Sequence, residues 1–349
     1  MMLFRNACAS DLDEIVTLAK QSGVGLTSLP HNKELLKKRL DLSSYSFQKE
    51  VQEPAEEYYL FVLEDSSSKE IVGTSALEAK TGYETPFYSY HISKYSRLSH
   101  SLHIRSEYEL LTLVNDNEGR SEFCTLFLEP KYRKKNNGLL LTKGCFLFMA
   151  QHPKRFTSTV IAELRGINTK EQSPFWEHVG RHFFQMPFKE ADRLNLATNK
   201  QFIEDLMPQY PLYVPLLDPQ AQKAIGKPHA STIPAMNILV KEGFRFNNYV
   251  HIFDAGPTYE AAFFDIKTIA LSRLVKVSSI SDEVRSVDYL IGNMHINFRA
   301  TISSALIHDE DDSCILSRET AETLEVHCGN FVRITPLNPA HCSHTHQGI

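Results

Sequence analysis

The sequence predicts an α/β (α+β) chain: a mixed sheet flanked by helices, followed by a small β-rich C-terminal module. Three observations carry the prediction. Segments rich in β-branched and aromatic residues, at 58–64, 70–78, 103–114 and 122–128, share the first half of the chain with amphipathic helical stretches. Between 122 and 165 the order is strand, loop, apolar helix, strand, a βαβ unit whose two strands run parallel with a right-handed crossover. After Phe253-Asp-Ala-Gly-Pro257 the pattern changes to short alternating segments, at 273–277, 288–291 and 331–334. A length of 349 residues exceeds the usual single domain, so a large unit is placed over 1–260 and the module over 261–349.

Residues 2–5 read as a short strand. Ser10 starts a helix with Asp11, Asp13 and Glu14 in its first turn, where carboxylates meet the positive end of the helix dipole. Leu12, Ile15, Val16 and Ala19 follow at i, i+3, i+4 and i+7. The segment from Ser22 to Pro30 is a flexible surface turn, and a second helix is predicted over 32–40. Asp65-Ser-Ser-Ser-Lys69 separates two strands and predicts a hairpin. The Tyr- and Ser-rich stretch 82–101 has no assignable period. Beyond the strand at 122–128, residues 130–137 form a polar, basic loop that leads into an apolar helix over 138–150, and the chain returns as a strand at 157–164. Residues 166–228 read as an irregular insertion, helical in pieces, with Trp176 and several Phe packing locally. The segment 231–242 puts Ile233, Met236, Leu239 and Val240 on one helical face and ends at Gly243 as a C-cap. Residues 244–253 make the next strand.

Composition narrows the function classes. A net charge of -5 offers no general attraction to nucleic acid or to an anionic membrane, both of which are held mainly by clustered Lys and Arg. The mean hydropathy of -0.27 and the lack of any run of roughly 18 apolar residues argue against a membrane span. The six cysteines form no C-x-x-C pair, and no secretory leader is visible, so a reduced, cytoplasmic setting is expected. The His-rich end, His341-Cys-Ser-His-Thr-His346, reads as a disordered tail, and no metal cofactor is expected.

The segment Ser121 to Gly138 carries the most chemistry. A buried strand, a basic loop and an immediate helix start aim several backbone N–H groups and a positive dipole end at one spot, which suits a pyrophosphate. The segment resembles the acyl-CoA loop of GCN5-related N-acetyltransferases, whose pattern is Arg or Gln, two residues, Gly, one residue, Gly or Ala. Arg133 and Gly138 match the first and last positions, and Asn136 stands where the first Gly would be. Asn tolerates positive φ better than other non-Gly residues, so the turn stays accessible. The resemblance implies that the strands at 122–128 and 157–164 splay apart and that the freed backbone of Leu126 and Leu128 pairs with the pantetheine amides.

A narrower resemblance runs through nearly the whole chain, in the blocks Gly25-Leu-Thr-Ser-Leu-Pro30, Phe61-Val-Leu-Glu-Asp65, Cys124-Thr-Leu-Phe-Leu128, Ala162-Glu-Leu-Arg-Gly166, Ser173-Pro-Phe-Trp176, Glu242-Gly-Phe244 and Phe253-Asp-Ala-Gly-Pro257. These resemble the arginine N-succinyltransferase family. The resemblance implies succinyl transfer from succinyl-CoA to the α-amine of L-arginine in arginine catabolism, with no metal, and a homo-oligomer. It assigns the proton acceptor to His229 of Gly226-Lys-Pro-His229, and the acyl-CoA contact to Leu126. An imidazole suits the task, because an α-ammonium must lose a proton before it attacks a thioester. Glu122 is a second base candidate, and Tyr249 a candidate acid for the leaving thiolate. Arginine and the succinyl group present charges of both signs, for which Glu163 and Arg165 are the candidate partners, while Thr27 and Ser28 offer hydroxyls from a loop beside the acceptor. Two alternatives remain: an N-acyltransferase using ornithine or another acyl-CoA, and a non-catalytic CoA-binding regulator.

Overall fold

The computed structural model describes residues 1–23, 25–168, 172–197, 201–284 and 286–337. The tail with His341 to His346 lies outside the described residues. The chain opens with β1 (Met2–Asn6), α1 (Leu12–Ser22) and α2 (Lys33–Gln48), and continues with β2 (Tyr58–Asp65), β3 (Ile71–Glu78), β4 (Ser89–Ser99), β5 (Ile104–Val114) and β6 (Ser121–Leu128). Next come α3 (Asn137–Gln151) and β7 (Thr159–Glu163), then the short elements α4 (Pro174–His178), α5 (Gly180–Phe184), α6 (Phe188–Ala197), α7 (Gln201–Leu206), β8 (Leu212–Tyr213) and α8 (Pro219–Ala224). The chain then runs through α9 (Ile233–Glu242), β9 (Arg245–His251), β10 (Pro257–Ala262) and α10 (Lys267–Ala270). It ends with β11 (Arg273–Ser281), β12 (Asp288–Asn293), β13 (Arg299–His308), β14 (Ser313–Ser317), α11 (Arg318–Leu324) and β15 (Phe331–Pro336).

This is the mixed helix-and-sheet class expected. One sheet runs β12-β15-β11-β14-β13-β1-β2-β3-β6-β7-β10-β9-β4-β5-β8. The hairpin β2–β3 is antiparallel, and β6 and β7 pair in parallel across α3, as the βαβ reading requires. Because β12 also pairs with β13, the last five strands close on themselves into a small barrel, a geometry that leaves few open edges. Its interior holds Val275, Val277, Ile291, Cys314, Leu316, Val332 and Ile334, and Leu324 of α11 packs onto it. The module is joined to the rest through β1, where Phe4 faces Ala300. Phe298 adds ring contacts with Phe4, Phe61 and Phe148.

α3 is buried on nearly all sides, including Leu140, Leu141, Phe146, Leu147, Phe148 and Met149, so its sequence is apolar without a stripe. Its one buried charge, Lys143, pairs with Glu242 of α9 at 3.2 Å. No helix among the described residues is long and apolar enough to cross a membrane.

Three elements differ from expectation. The unassigned stretch 82–101 contains β4, which pairs with β5 from Ser89↔Val114 to Ser99↔Ile104; its outer half is exposed, so no one-sided alternation marks it. The second helix runs on to Gln48 rather than ending at 40. Its buried serines face β2: Ser43 Oγ accepts from the Leu60 N–H at 2.8 Å and Ser46 Oγ from the Tyr58 N–H at 3.1 Å, satisfying strand donors that would otherwise be orphaned. In α9 only Leu239 of the expected apolar face is buried with Met236 half-buried, whereas Ile233 and Val240 are exposed.

Candidate active site

β6 and β7 begin as neighbours and then part. Their pairing is limited to Ser121↔Val160 and Glu122↔Ile161, so the edge of β6 beyond Glu122 is released from the ladder. A cavity of about 740 Å³ opens there, a size suited to a cofactor-sized ligand. Its walls combine the loop before α2, β6, the start of α3, the end of β7, the start of α9 and the end of β9.

Of the residues singled out from sequence, Thr27, Ser28, Glu122, Leu126, Leu128, Arg133, Gly138, Glu163 and Arg165 all line this cavity. The basic loop supplies Arg133, Lys134 and Lys135 beside the α3 N-terminus, and Arg133 Nε is anchored to the Leu128 carbonyl at 2.9 Å. The left-handed turn falls on Lys135 (φ 52°) and not on Asn136, whose φ of -101° needs no special tolerance and whose residue is not among the cavity lining. A Cβ at Gly138 would meet only the Ile238 side chain, at 3.7 Å, so that glycine is not forced by close packing.

His229 is not among the residues that line the cavity, although Ser231 and Thr232, two and three residues on, are. Its N–H donates to the Arg165 carbonyl at 2.8 Å, and the adjacent bridge Gly166↔Pro228 stitches this segment to the end of β7. The imidazole Nδ1 lies 2.7 Å from Ser231 Oγ and 3.2 Å from the Ser231 N–H. Nδ1 can accept from both Ser231 groups, which puts the proton on Nε2; the other tautomer, with Nδ1–H donating to Ser231 Oγ, gives up the N–H contact and leaves the Nε2 lone pair open as a base. Burial, then the nearby Arg165 charge, hold the imidazole pKa below its usual value, which keeps it neutral at pH 7.

Tyr249 lies elsewhere. Its hydroxyl donates to Asp116 at 2.9 Å, and burial with that carboxylate pushes its pKa up to about 12, away from the cavity wall.

The structure adds residues that sequence reasoning passed over. Arg39 of α2 and Glu78 of β3 line the cavity opposite the loop, and Glu78 sits directly across the strand pair from Glu122. At the far end, His251 places Nδ1 3.2 Å from Asp254 Oδ1 and Nε2 4.0 Å from Glu163 Oε2. Burial works against its charge, but Glu163, Asp254 and Asp192 outweigh it and raise its pKa to about 9. Asp254 also accepts from the N–H groups of Gly166 at 2.7 Å and Gly256 at 2.9 Å, and these bonds with His251 overcome burial to hold its carboxyl below the usual range. Asp254 belonged to the Phe-Asp-Ala-Gly-Pro block read from sequence; His251, in an ordinary strand, carried no signal. Arg165 Nη2 donates to Asn168 Oδ1 at 2.8 Å, so its guanidinium is oriented before any ligand arrives.

A family profile described as arginine N-succinyltransferase beta subunit matches residues 2–268, and one described as the C-terminal domain of that subunit matches 273–336. The chain is 39% identical over 343 residues to an arginine N-succinyltransferase of Photorhabdus laumondii, covering 97% of this chain and 99% of the relative. It is 41% identical over 346 residues to one from Yersinia pestis, covering 97% and 98%. Among solved structures, the arginine/ornithine succinyltransferase subunit AI of Pseudomonas aeruginosa superposes with a TM-score of 0.88 at 37% identity, covering 97% of this chain and 99% of that one.

Proposed function

Since the chain belongs to the arginine N-succinyltransferase family, we propose that it transfers the succinyl group of succinyl-CoA to the α-amine of L-arginine, giving N2-succinyl-L-arginine and free CoA. The observation that carries the geometry is the cavity at the divergence of β6 and β7, with backbone polar groups on one side and charges of both signs on the other. In this reading the basic loop and the α3 N-terminus take the pyrophosphate, and the Leu126 and Leu128 backbone takes the amide arm. Arg165 and Glu163 sort the charged ends of the two substrates.

The reaction needs a neutral amine. His229 accepts the α-ammonium proton, the nitrogen attacks the thioester carbon, and the tetrahedral intermediate loses its second nitrogen proton to solvent and collapses with loss of the CoA sulfur, to which the imidazolium returns the first proton. Glu122 is the alternative acceptor. The thioester is already activated, so no covalent step on a cysteine is required; Cys124 has its thiol pKa raised by burial, against nucleophilic use. We further propose a cytoplasmic setting and a homo-oligomer, and a module boundary near 260.

Release of free CoA, followed across arginine, ornithine and lysine with succinyl-CoA and acetyl-CoA, tests the assignment. Arginine with succinyl-CoA is expected to be the fastest pair, His229→Ala to lose about 100-fold or more in kcat, and Arg165→Leu to lose discrimination between the donors. CoA release independent of any amino acid, or an unchanged His229→Ala enzyme, would sink the reading.

A further inference from the structure

Thr125 sits in the middle of β6 with φ of 58°. For a β-branched residue this left-handed backbone is costly and persists only where neighbours hold it. The β3–β6 register slips between Thr74 and Ala76 at the same point, so the strand is bulged there. No β7 neighbour pairs beyond Glu122, and the strand edge facing the cavity is therefore not fixed by a ladder.

What fixes it is the loop from the other side of the cavity. Ser28 Oγ accepts from the Thr125 N–H at 2.9 Å, and the Ser28 carbonyl accepts from Thr125 Oγ1 at 3.2 Å. Tyr58 Oη lies 2.8 Å from the same Oγ1, and Thr74 Oγ1 donates to the Thr125 carbonyl at 3.0 Å. Arg39 donates to the Ser28 carbonyl, tying the loop to α2. The Ser28 Oγ thus bonds the donor strand.

We propose that Ser28 is a positioning residue for the acyl donor: it latches the bulge at Thr125 and so aims the backbone of 126–128 at the amide-bearing arm of an acyl-CoA. The inference rests on the acyl-CoA reading above. Without the Ser28 hydroxyl, the Thr125 N–H loses its acceptor and the strained φ loses the one contact to its own N–H, leaving the Ser28 carbonyl, Tyr58 and Thr74 to hold it, so the strand shifts from the shape the donor needs.

Four variants of the full chain test this, Ser28→Ala, Ser28→Thr, Thr125→Gly and the double Ser28→Ala/Thr125→Gly, with Kd for CoA by calorimetry, KM for each substrate, kcat and Tm. Ser28→Ala is expected to weaken CoA binding and raise the KM for succinyl-CoA about tenfold, equivalent to about 1.4 kcal/mol, while the KM for arginine moves less than about twofold. Ser28→Thr, which keeps the oxygen, restores both. In the Thr125→Gly background the alanine change costs less than about twofold, because glycine meets no steric penalty at φ near 58° and the bulge then depends less on the latch. A rise confined to the arginine KM, a tenfold loss that persists beside Gly at 125, or loss of folded protein in place of affinity would each overturn the latch. Wild-type protein that binds no CoA would overturn the donor reading and the latch together, a result distinct from intact binding in Ser28→Ala.

Discussion

Replacing His251 by Gln tests the charge balance at the far end of the cavity. The imidazole is the cation shared by Glu163, Asp192 and Asp254, and its pKa of about 9 lies about 2.5 above the ordinary 6.5. A group whose pKa is raised on folding contributes stability that is complete below the unfolded value and is lost as pH climbs through the folded one. At about 1.4 kcal/mol for each factor of ten, the contribution is about 3 kcal/mol at pH 6, fading between about pH 6.5 and 9. Urea unfolding of both proteins at pH 6 and pH 10 reads it. His251→Gln should be less stable by about 3 kcal/mol at pH 6, and the gap should close to under about 1 kcal/mol at pH 10. A gap equal or larger at pH 10, or an NMR titration placing His251 below pH 7, refutes the argument that the carboxylates outweigh burial.

Two further perturbations follow from close packing. A Cβ at Gly256 would lie 2.0 Å from the Leu164 carbonyl oxygen and 2.5 Å from the Gly166 nitrogen, backbone atoms that cannot rotate aside; Gly256→Ala should cost about 3 kcal/mol and lower Tm by several degrees in a calorimetric scan. Lys143→Met leaves Glu242 buried without its cation and should cost about 3–5 kcal/mol in urea unfolding, whereas Lys143→Met with Glu242→Gln should recover part of the loss, since the Thr268 N–H keeps an acceptor there.

What could be read from sequence was the part governed by periodicity. The β6, α3 and β7 unit announced itself by an apolar strand, a basic loop and an apolar helix, and the cavity lies where that order put it. The bulge could not be read, because a threonine inside a strand looks favourable until the backbone turns left-handed, and the bonds that hold it come from Ser28, 97 residues earlier. The turn before α3 was assigned to the residue type best suited to it, Asn136, but the chain takes it one position earlier at Lys135. The buried serines of α2 read as polar surface because their partners are strand N–H groups that only the tertiary fold supplies. His251 gains its meaning from Asp254 three residues on and from Glu163 and Asp192 on two other segments.

The first strand has a consequence for how the protein is made. β1 is flanked by β2 on one edge and β13 on the other, so this strand waits during synthesis for a partner that begins at Arg299. Some 234 residues separate the end of β2 at Asp65 from that point, which at about 5–20 residues per second is roughly 10–50 s of translation. Through that interval the growing chain carries an open edge able to pair with a neighbouring copy. Synthesis of the last strands is therefore also the step that seals the first.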